Sequence, residues 1–118
     1  MNVCPTSRLL AGISGDIQSP NYPEEYPHNI ACALRLTGIK PGRVVVFSIG
    51  DIELEKGWLT CADYISFTGR YNKDTRLCDN TMTALTIEPM EGEIQVKFVS
   101  DSDSVRKKGF NITYTGEF

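Results

Sequence analysis

The sequence predicts an all-β fold, a sandwich of two antiparallel sheets, on three observations. Val, Ile and Thr number 27 against 13 for Ala plus Leu, a balance that favours pleated strands over helices. Several short runs alternate apolar with polar residues, the pattern of a sheet with one buried face. Turn residues break these runs at short intervals, as in sandwiches and barrels. The 118 residues, 41% hydrophobic and 23% charged, suit a single domain spanning 1–118 with a core of its own.

The elements follow in order. Strands are predicted near Asp16–Ser19, over Cys32–Leu36, Arg43–Ile49, Tyr64–Thr68, Ala84–Ile87 and Glu93–Ser100, and in the last segment Phe110–Tyr114. In Glu93–Ser100, Ile94, Val96 and Phe98 alternate with Gln95 and Lys97; Cys32, Leu34 and Leu36 alternate with Ala33 and Arg35. Phe110, Ile112 and Tyr114 do the same, which puts Asn111 on the solvent face. Punctuation comes from Ser19-Pro20-Asn21-Tyr22-Pro23, Lys40-Pro41-Gly42, Glu55-Lys56-Gly57 and Glu91-Gly92. The two Tyr-Pro pairs, Tyr22-Pro23 and Tyr26-Pro27, fix a stiff loop, because each proline locks its own φ and extends the tyrosine before it.

Twelve basic against fifteen acidic residues, a net charge of -3, argue against nucleic-acid binding. No apolar run is long enough to span a bilayer. Cys4, Cys32, Cys61 and Cys78 form no C-x-x-C pair, and His28 is the sole histidine, so zinc is excluded and disulfides are expected. Sequential pairing, Cys4 with Cys32 and Cys61 with Cys78, is the simplest of three connectivities, and the other two stay open at this point. A bridge closing a loop of about 15 residues contributes about 3 kcal/mol. Disulfides, with the sequon Asn111-Ile112-Thr113, point to a secreted or ectodomain setting and a glycan on Asn111. No basic start and apolar stretch precede Cys4, so the reading is a mature fragment of something larger with an added start methionine.

Acidic residues gather after strand-like segments: Glu53 and Glu55, then Asp63, then Asp101 with Asp103. If one end of a sandwich collects those loops, the carboxylates repel unless a hard cation joins them, and Ca2+ takes six to eight oxygens. Unrelated solvated acids are the rival reading. Asp101-Ser102-Asp103-Ser104 begins like an EF-hand loop, but Arg106 and Ile112 stand where that motif needs glycine and glutamate.

These stretches together resemble a CUB domain, an extracellular module of complement-initiating proteases, tolloid-type metalloproteases, neuropilins, cubilin and spermadhesins. The resemblance starts at Cys4 and runs through Ile17–Pro23, Tyr26–Asn29 and Cys32. It continues with Phe47 leading to Asp51-Ile52-Glu53-Leu54, then Cys61, Asp63-Tyr64 and Cys78, and it closes with Val96–Asp101 and Gly109–Tyr114. It implies a two-sheet, jelly-roll-like sandwich, sequential disulfides and calcium at one end. Glu53, Asp63 and Asp101 would give the carboxylates, Asp103 and Ser104 further oxygens, and Tyr26 a hydrogen bond orienting Glu53. The family's spacing counted forward from Phe47 selects Glu53, while counted back from Asp63 it selects Glu55. The expectation adopted is Glu53, with an insertion around Gly57-Trp58. The residue between Cys61 and Asp63 is one fewer than the family has, and Leu34 stands where it has tryptophan.

By the same resemblance the calcium end docks proteins, with Tyr26, Glu53 and Asp101 meeting a lysine or arginine of an extracellular partner. The alternative is a spermadhesin-like module binding glycan or heparin through Arg106, Lys107 and Lys108, so a glycosaminoglycan is a second candidate partner. No G-x-S-x-G or HExxH frame accompanies Glu53, Asp63 or His28, so the chain is not read as an enzyme, though it fits a non-catalytic part of a secreted protease. Trp58-Leu59 is read as folding over the sandwich edge rather than anchoring a partner.

Overall fold

A computed structural model describes residues 2–4, 7–10, 14–56, 61–79, 81–101 and 107–116, with backbone alone for 7–10. Nine strands lie among them: β1 (Ser7–Leu10), β2 (Ser14–Gln18), β3 (Ala31–Thr37), β4 (Val45–Glu53), β5 (Tyr64–Thr68), β6 (Asp74–Leu77), β7 (Ala84–Ile87), β8 (Ile94–Val99) and β9 (Gly109–Gly116). One sheet has the order β1-β3-β8-β5-β6, the other β2-β9-β4-β7. The sandwich is therefore as the sequence predicts. Pairing is antiparallel except for β1, which runs parallel to β3. Between those two strands the chain visits β2 in the opposite sheet, and a crossover of that kind allows parallel neighbours where a hairpin does not.

Alternation holds in the strands that matter most. Leu34 and Leu36 of β3, Ile94, Val96 and Phe98 of β8, and Phe110 and Ile112 of β9 are fully buried. So are Ile17, Phe47, Ile65 and Phe67, and each such side chain contributes about 1.5–3 kcal/mol of transfer free energy. Aromatic rings line the interior, with centroids of Phe47 and Phe67 4.6 Å apart and of Phe98 and Phe110 5.3 Å apart. The disulfides join Cys4 to Cys32 and Cys61 to Cys78, with Cα separations of 5.4 and 5.7 Å.

Three features differ from the reading of the sequence. Strands β1 and β6 were not foreseen, because Ser-Arg-Leu-Leu and Asp-Thr-Arg-Leu are four-residue edge strands with little alternation to detect. Strand β4 begins at Val45 rather than Arg43 and runs on to Glu53. Its register against β9 shifts between Ile49 and Asp51, a bulge at Gly50. An extra residue reverses the parity of the strand. Phe47 and Ile49 point inward before the bulge, and Ile52 and Leu54 after it.

Candidate metal centre at one end of the sandwich

Glu53 and Glu55 share one parity after the bulge, so the end of the strand decides which of them reaches the core. Glu53, between the buried Ile52 and Leu54, is the last residue of β4 and is exposed, opposite Gly109 of β9. Glu55 lies beyond the strand, where Leu54 N–H donates to Cys78 O at 3.1 Å and turns the chain. The Glu55 carbonyl accepts from the amides of Ala62 and Asp63, both at 3.1 Å. This closure stands Asp63 beside Glu55, next to the Cys61–Cys78 bridge. A third acid, Asp101, follows β8.

Carboxylate oxygens of Glu55, Asp63 and Asp101 lie within 4.8 Å of one another. Asp63 is 1% exposed and Glu55 9%, while Asp101 is half-buried and forms the rim. Asp63 is held from two sides: Tyr26 Oη donates to Oδ2 at 2.6 Å, and Asp101 N–H donates to Oδ1 at 2.8 Å. Tyr26 Oη in turn accepts the Glu55 N–H at 3.1 Å. Burial, reinforced by the bond to Asp63, raises the Tyr26 phenol far above its ordinary pKa, so it remains a donor.

The loop before β3 is tied to the same end. Tyr26 N–H donates to Lys107 O at 3.3 Å and Asn29 N–H to Asp101 O at 2.9 Å. Ser100 Oγ accepts from Ile30 N–H at 2.9 Å and donates to Pro27 O at 2.8 Å. Three loops remote in sequence are thus joined through hydrogen-bonded polar groups.

Two ion pairs flank the centre. Asp51 accepts from Tyr22 Oη and from Lys108 Nζ, the latter at 2.9 Å. The Tyr22 bond, then the Lys108 bond, lower the Asp51 pKa. Lys56 Nζ lies 2.7 Å from Asp79 Oδ2. A cleft of about 600 Å³ opens beside Glu55, with Asp51, Glu53, Asp79 and Lys107 on its walls.

Set against the sequence, the structure brings Asp63 and Asp101 together as expected but puts Glu55, not Glu53, with them. Tyr26 bonds Asp63 rather than Glu53. Its ring is fully buried, 5.2 Å from that of Phe98 and edge-on to it, so it supports the centre and offers no surface to a partner. The spacing counted back from Asp63 was the signal that named Glu55. Ser100 and Asp51 were not singled out as functional, and no local pattern marks them. Asp103, Ser104, Arg106 and Trp58-Leu59 lie outside the described residues. Asn111 is on the outer face of β9, half-buried between Gln18 and Asp51, with its side-chain oxygen buried and accepting no hydrogen bond. His28 is exposed on the loop before β3.

Three oxygen ligands with no sulfur or imidazole form a hard donor set, and their mutual spacing suits an ion whose bonds to oxygen are about 2.3–2.6 Å. No helix among the described residues is long and apolar enough to cross a membrane.

Comparison with known proteins fits this arrangement. The chain is 31% identical over 112 residues to a cubilin homolog of Drosophila melanogaster, covering 89% of this chain and 3% of that protein. It is 28% identical over 117 residues to a calcium-dependent serine proteinase of Mesocricetus auratus, covering 95% of this chain and 16% of that one. It thus spans only a small part of these relatives. The crystal structure of the MASP-1 CUB2 domain bound to Ca2+ shares the fold with a TM-score of 0.80 at 24% identity, over 94% of this chain and 99% of that domain. The sequence profile of the CUB domain matches residues 4–114. The chain therefore belongs to the CUB domain family, whose members are generally non-catalytic, extracellular protein-interaction modules.

Proposed function

We propose that this domain is a calcium-dependent interaction module whose acidic end captures a lysine or arginine of an extracellular partner. The observation that carries the reading is the meeting of Glu55, Asp63 and Asp101 within 4.8 Å at the junction of three loops. A divalent cation supplies charge neutralisation there and fixes the loops against one another. Asp103 and Ser104 are proposed as further oxygen donors from the loop after Asp101. The Ca2+ held by the MASP-1 CUB2 domain, whose fold this chain shares, agrees with the choice of ion.

The protein's own groups then divide the work. Asp63, gripped by Tyr26 and by the Asp101 amide, is the fixed inner oxygen donor. Asp101 at the rim and the exposed Glu53 are the carboxylates that reach a partner cation. A single exposed pair contributes about 0–1 kcal/mol, so useful affinity comes from several such domains in tandem or from added apolar contact. Heparin binding through Arg106, Lys107 and Lys108 is the weaker reading, because Lys108 is already engaged by Asp51.

Calorimetric titration with calcium tests the centre. Glu55→Gln should weaken binding at least about tenfold, and Glu53→Gln should leave it within about twofold. Retention on an immobilised lysine-rich peptide at physiological salt should be lost on adding chelator and on Glu53→Gln with Asp101→Asn. Retention indifferent to chelator would remove calcium from the mechanism.

A further inference from the structure

Strands β6 and β7 are each an edge of their sheet, and residues of both line one groove. Exposed strand edges are normally blunted by charge. Strand β2 carries Asp16, and β6 carries Asp74 and Arg76, whereas β7 reads Ala-Leu-Thr-Ile.

The phase of the β4–β7 ladder fixes which groups of β7 face outward. Ile49 N–H donates to Thr83 O at 2.9 Å, so in the observed register Phe47/Leu85 and Val45/Ile87 are the bonded pairs. The N–H and C=O groups of Ala84 and Thr86 therefore point away from β4, and both residues are exposed. They open onto a groove of about 560 Å³ between β7 and the segment from Gly69 to Thr75.

The groove is built rather than incidental. Arg70 N–H donates to Glu88 O at 2.8 Å, and the Arg70 guanidinium pairs with the Glu88 carboxylate at 3.1 Å. A Cβ at Gly69 would stand 2.2 Å from Glu88 O, so this clasp requires glycine. Tyr71 is held in the left-handed region at φ 62° and is 83% exposed beside the groove, with Met82 40% exposed along it. Strained residues of this kind persist where the surroundings impose them. Arg70 and Glu88 neutralise each other, and Lys73 has no carboxylate partner among the described residues, which leaves the groove with positive charge.

We infer that β7 is a second docking site, separate from the acidic end, that receives an extended, acid-bearing segment of a partner protein as an added strand. Backbone bonds to Ala84 and Thr86 hold the segment, Tyr71 and Met82 cover its apolar side chains, and Lys73 selects for acid over base.

The probe is a blocked synthetic peptide alternating glutamate and valine, titrated into the isotopically labelled chain. The Ala84 and Thr86 amides should shift and exchange more slowly, with or without chelator. Thr86→Pro, which deletes an outward donor without touching the β4 ladder, should weaken binding about tenfold. Lys73→Glu should do so to a lesser degree, and a lysine–valine peptide should not bind. Should Thr86→Pro fail to fold, the same peptide N-methylated on one edge tests the native chain and should not bind. Shifts confined to residues outside the groove, or equal binding of the N-methylated peptide, overturn the inference. So does a dimer that Thr86→Pro dissociates, because a second copy would then be the occupant of the edge.

Discussion

At one end of the sandwich, backbone groups close the turns on one another. Ile39 N–H donates to Gly92 O at 3.1 Å, Arg43 N–H to Lys40 O at 3.1 Å, and Met90 and Glu93 exchange bonds of 2.9 and 3.0 Å. At the other end buried side chains join the backbone bonds: the Asp63 carboxylate accepts from Tyr26 and from the Asp101 amide, with two further carboxylates close by. The first end keeps its charge at the surface, where the exposed Arg35 pairs with Glu93 at 2.8 Å. The second also gathers like charges, so part of its stability depends on what neutralises them. Binding that favours the folded state adds RT ln(1 + [L]/Kd), about 2.7 kcal/mol at a hundredfold excess over Kd. That increment should slow amide exchange around Asp63 and Asp101 more than around Ile39 and Gly92.

The strongest way to break this contrast is Asp63→Ala. It leaves the Tyr26 hydroxyl and the Asp101 amide without their acceptor in a buried site, each worth about 1–3 kcal/mol. Destabilisation of about 2–5 kcal/mol should follow in thermal melts, and calcium should no longer raise the midpoint. A calcium-dependent rise surviving in Asp63→Ala would show that the ion binds elsewhere.

Tyr26→Phe is the next largest change. The ring stays against Phe98, so packing is kept, while the donor to Asp63 and the acceptor for Glu55 N–H are lost. A cost of about 1–3 kcal/mol is expected, together with a 10–100-fold loss of calcium affinity by calorimetry. Gly92→Ala sharpens the comparison from the opposite end. Gly92 has φ +76°, and a Cβ there would lie 3.0 Å from Ile39 O. About 1–2 kcal/mol should be lost, with the calcium-induced shift of the melting midpoint unchanged.

The sequence made the two ends unequally legible. Turns such as Lys40-Pro41-Gly42 and Glu91-Gly92 announce themselves, because proline and glycine carry the backbone geometry in their own chemistry. The core was equally open to reading in β8, where period-two alternation runs the whole strand, and in β3 and β9, where only the small Ala33 and Gly109 interrupt it. The charged end was read in outline, since Asp63 before β5 and Asp101 after β8 stand at strand ends and could be expected to meet. The sequence favours Glu53 by the count from Phe47, since an insertion around Gly57-Trp58 is easier to absorb than a change of strand register; where β4 ends, and so which glutamate turns into the core, leaves no local mark. The role of Tyr26 was seen but attached to the wrong acid, since a contact spanning 37 positions along the chain depends on how the loops close. Strand β7 was located, but that it forms an uncharged edge follows only from the order of strands in the sheet.

The smallest effect separates exposed charge from buried charge within the acidic end itself. Pairing with Lys56, then bonds from Thr81, lower the Asp79 pKa from 3.8 to about 2. Because the folded value is depressed, the stabilisation is present above pH 3.8 and is lost as pH falls through the window down to about 2. The Asp79 side chain is 27% and that of Lys56 61% exposed, so solvent screens the pair and the contribution is under about 1 kcal/mol. Asp79→Asn should therefore lower the melting midpoint slightly at neutral pH, with the gap from the parent chain closing on acidification through that window. Salt should narrow the gap at neutral pH, and calcium affinity should be unchanged. A gap that stays constant from neutral pH down to about 2 would show that the Thr81 bonds, which asparagine can keep in part, matter more than the charge.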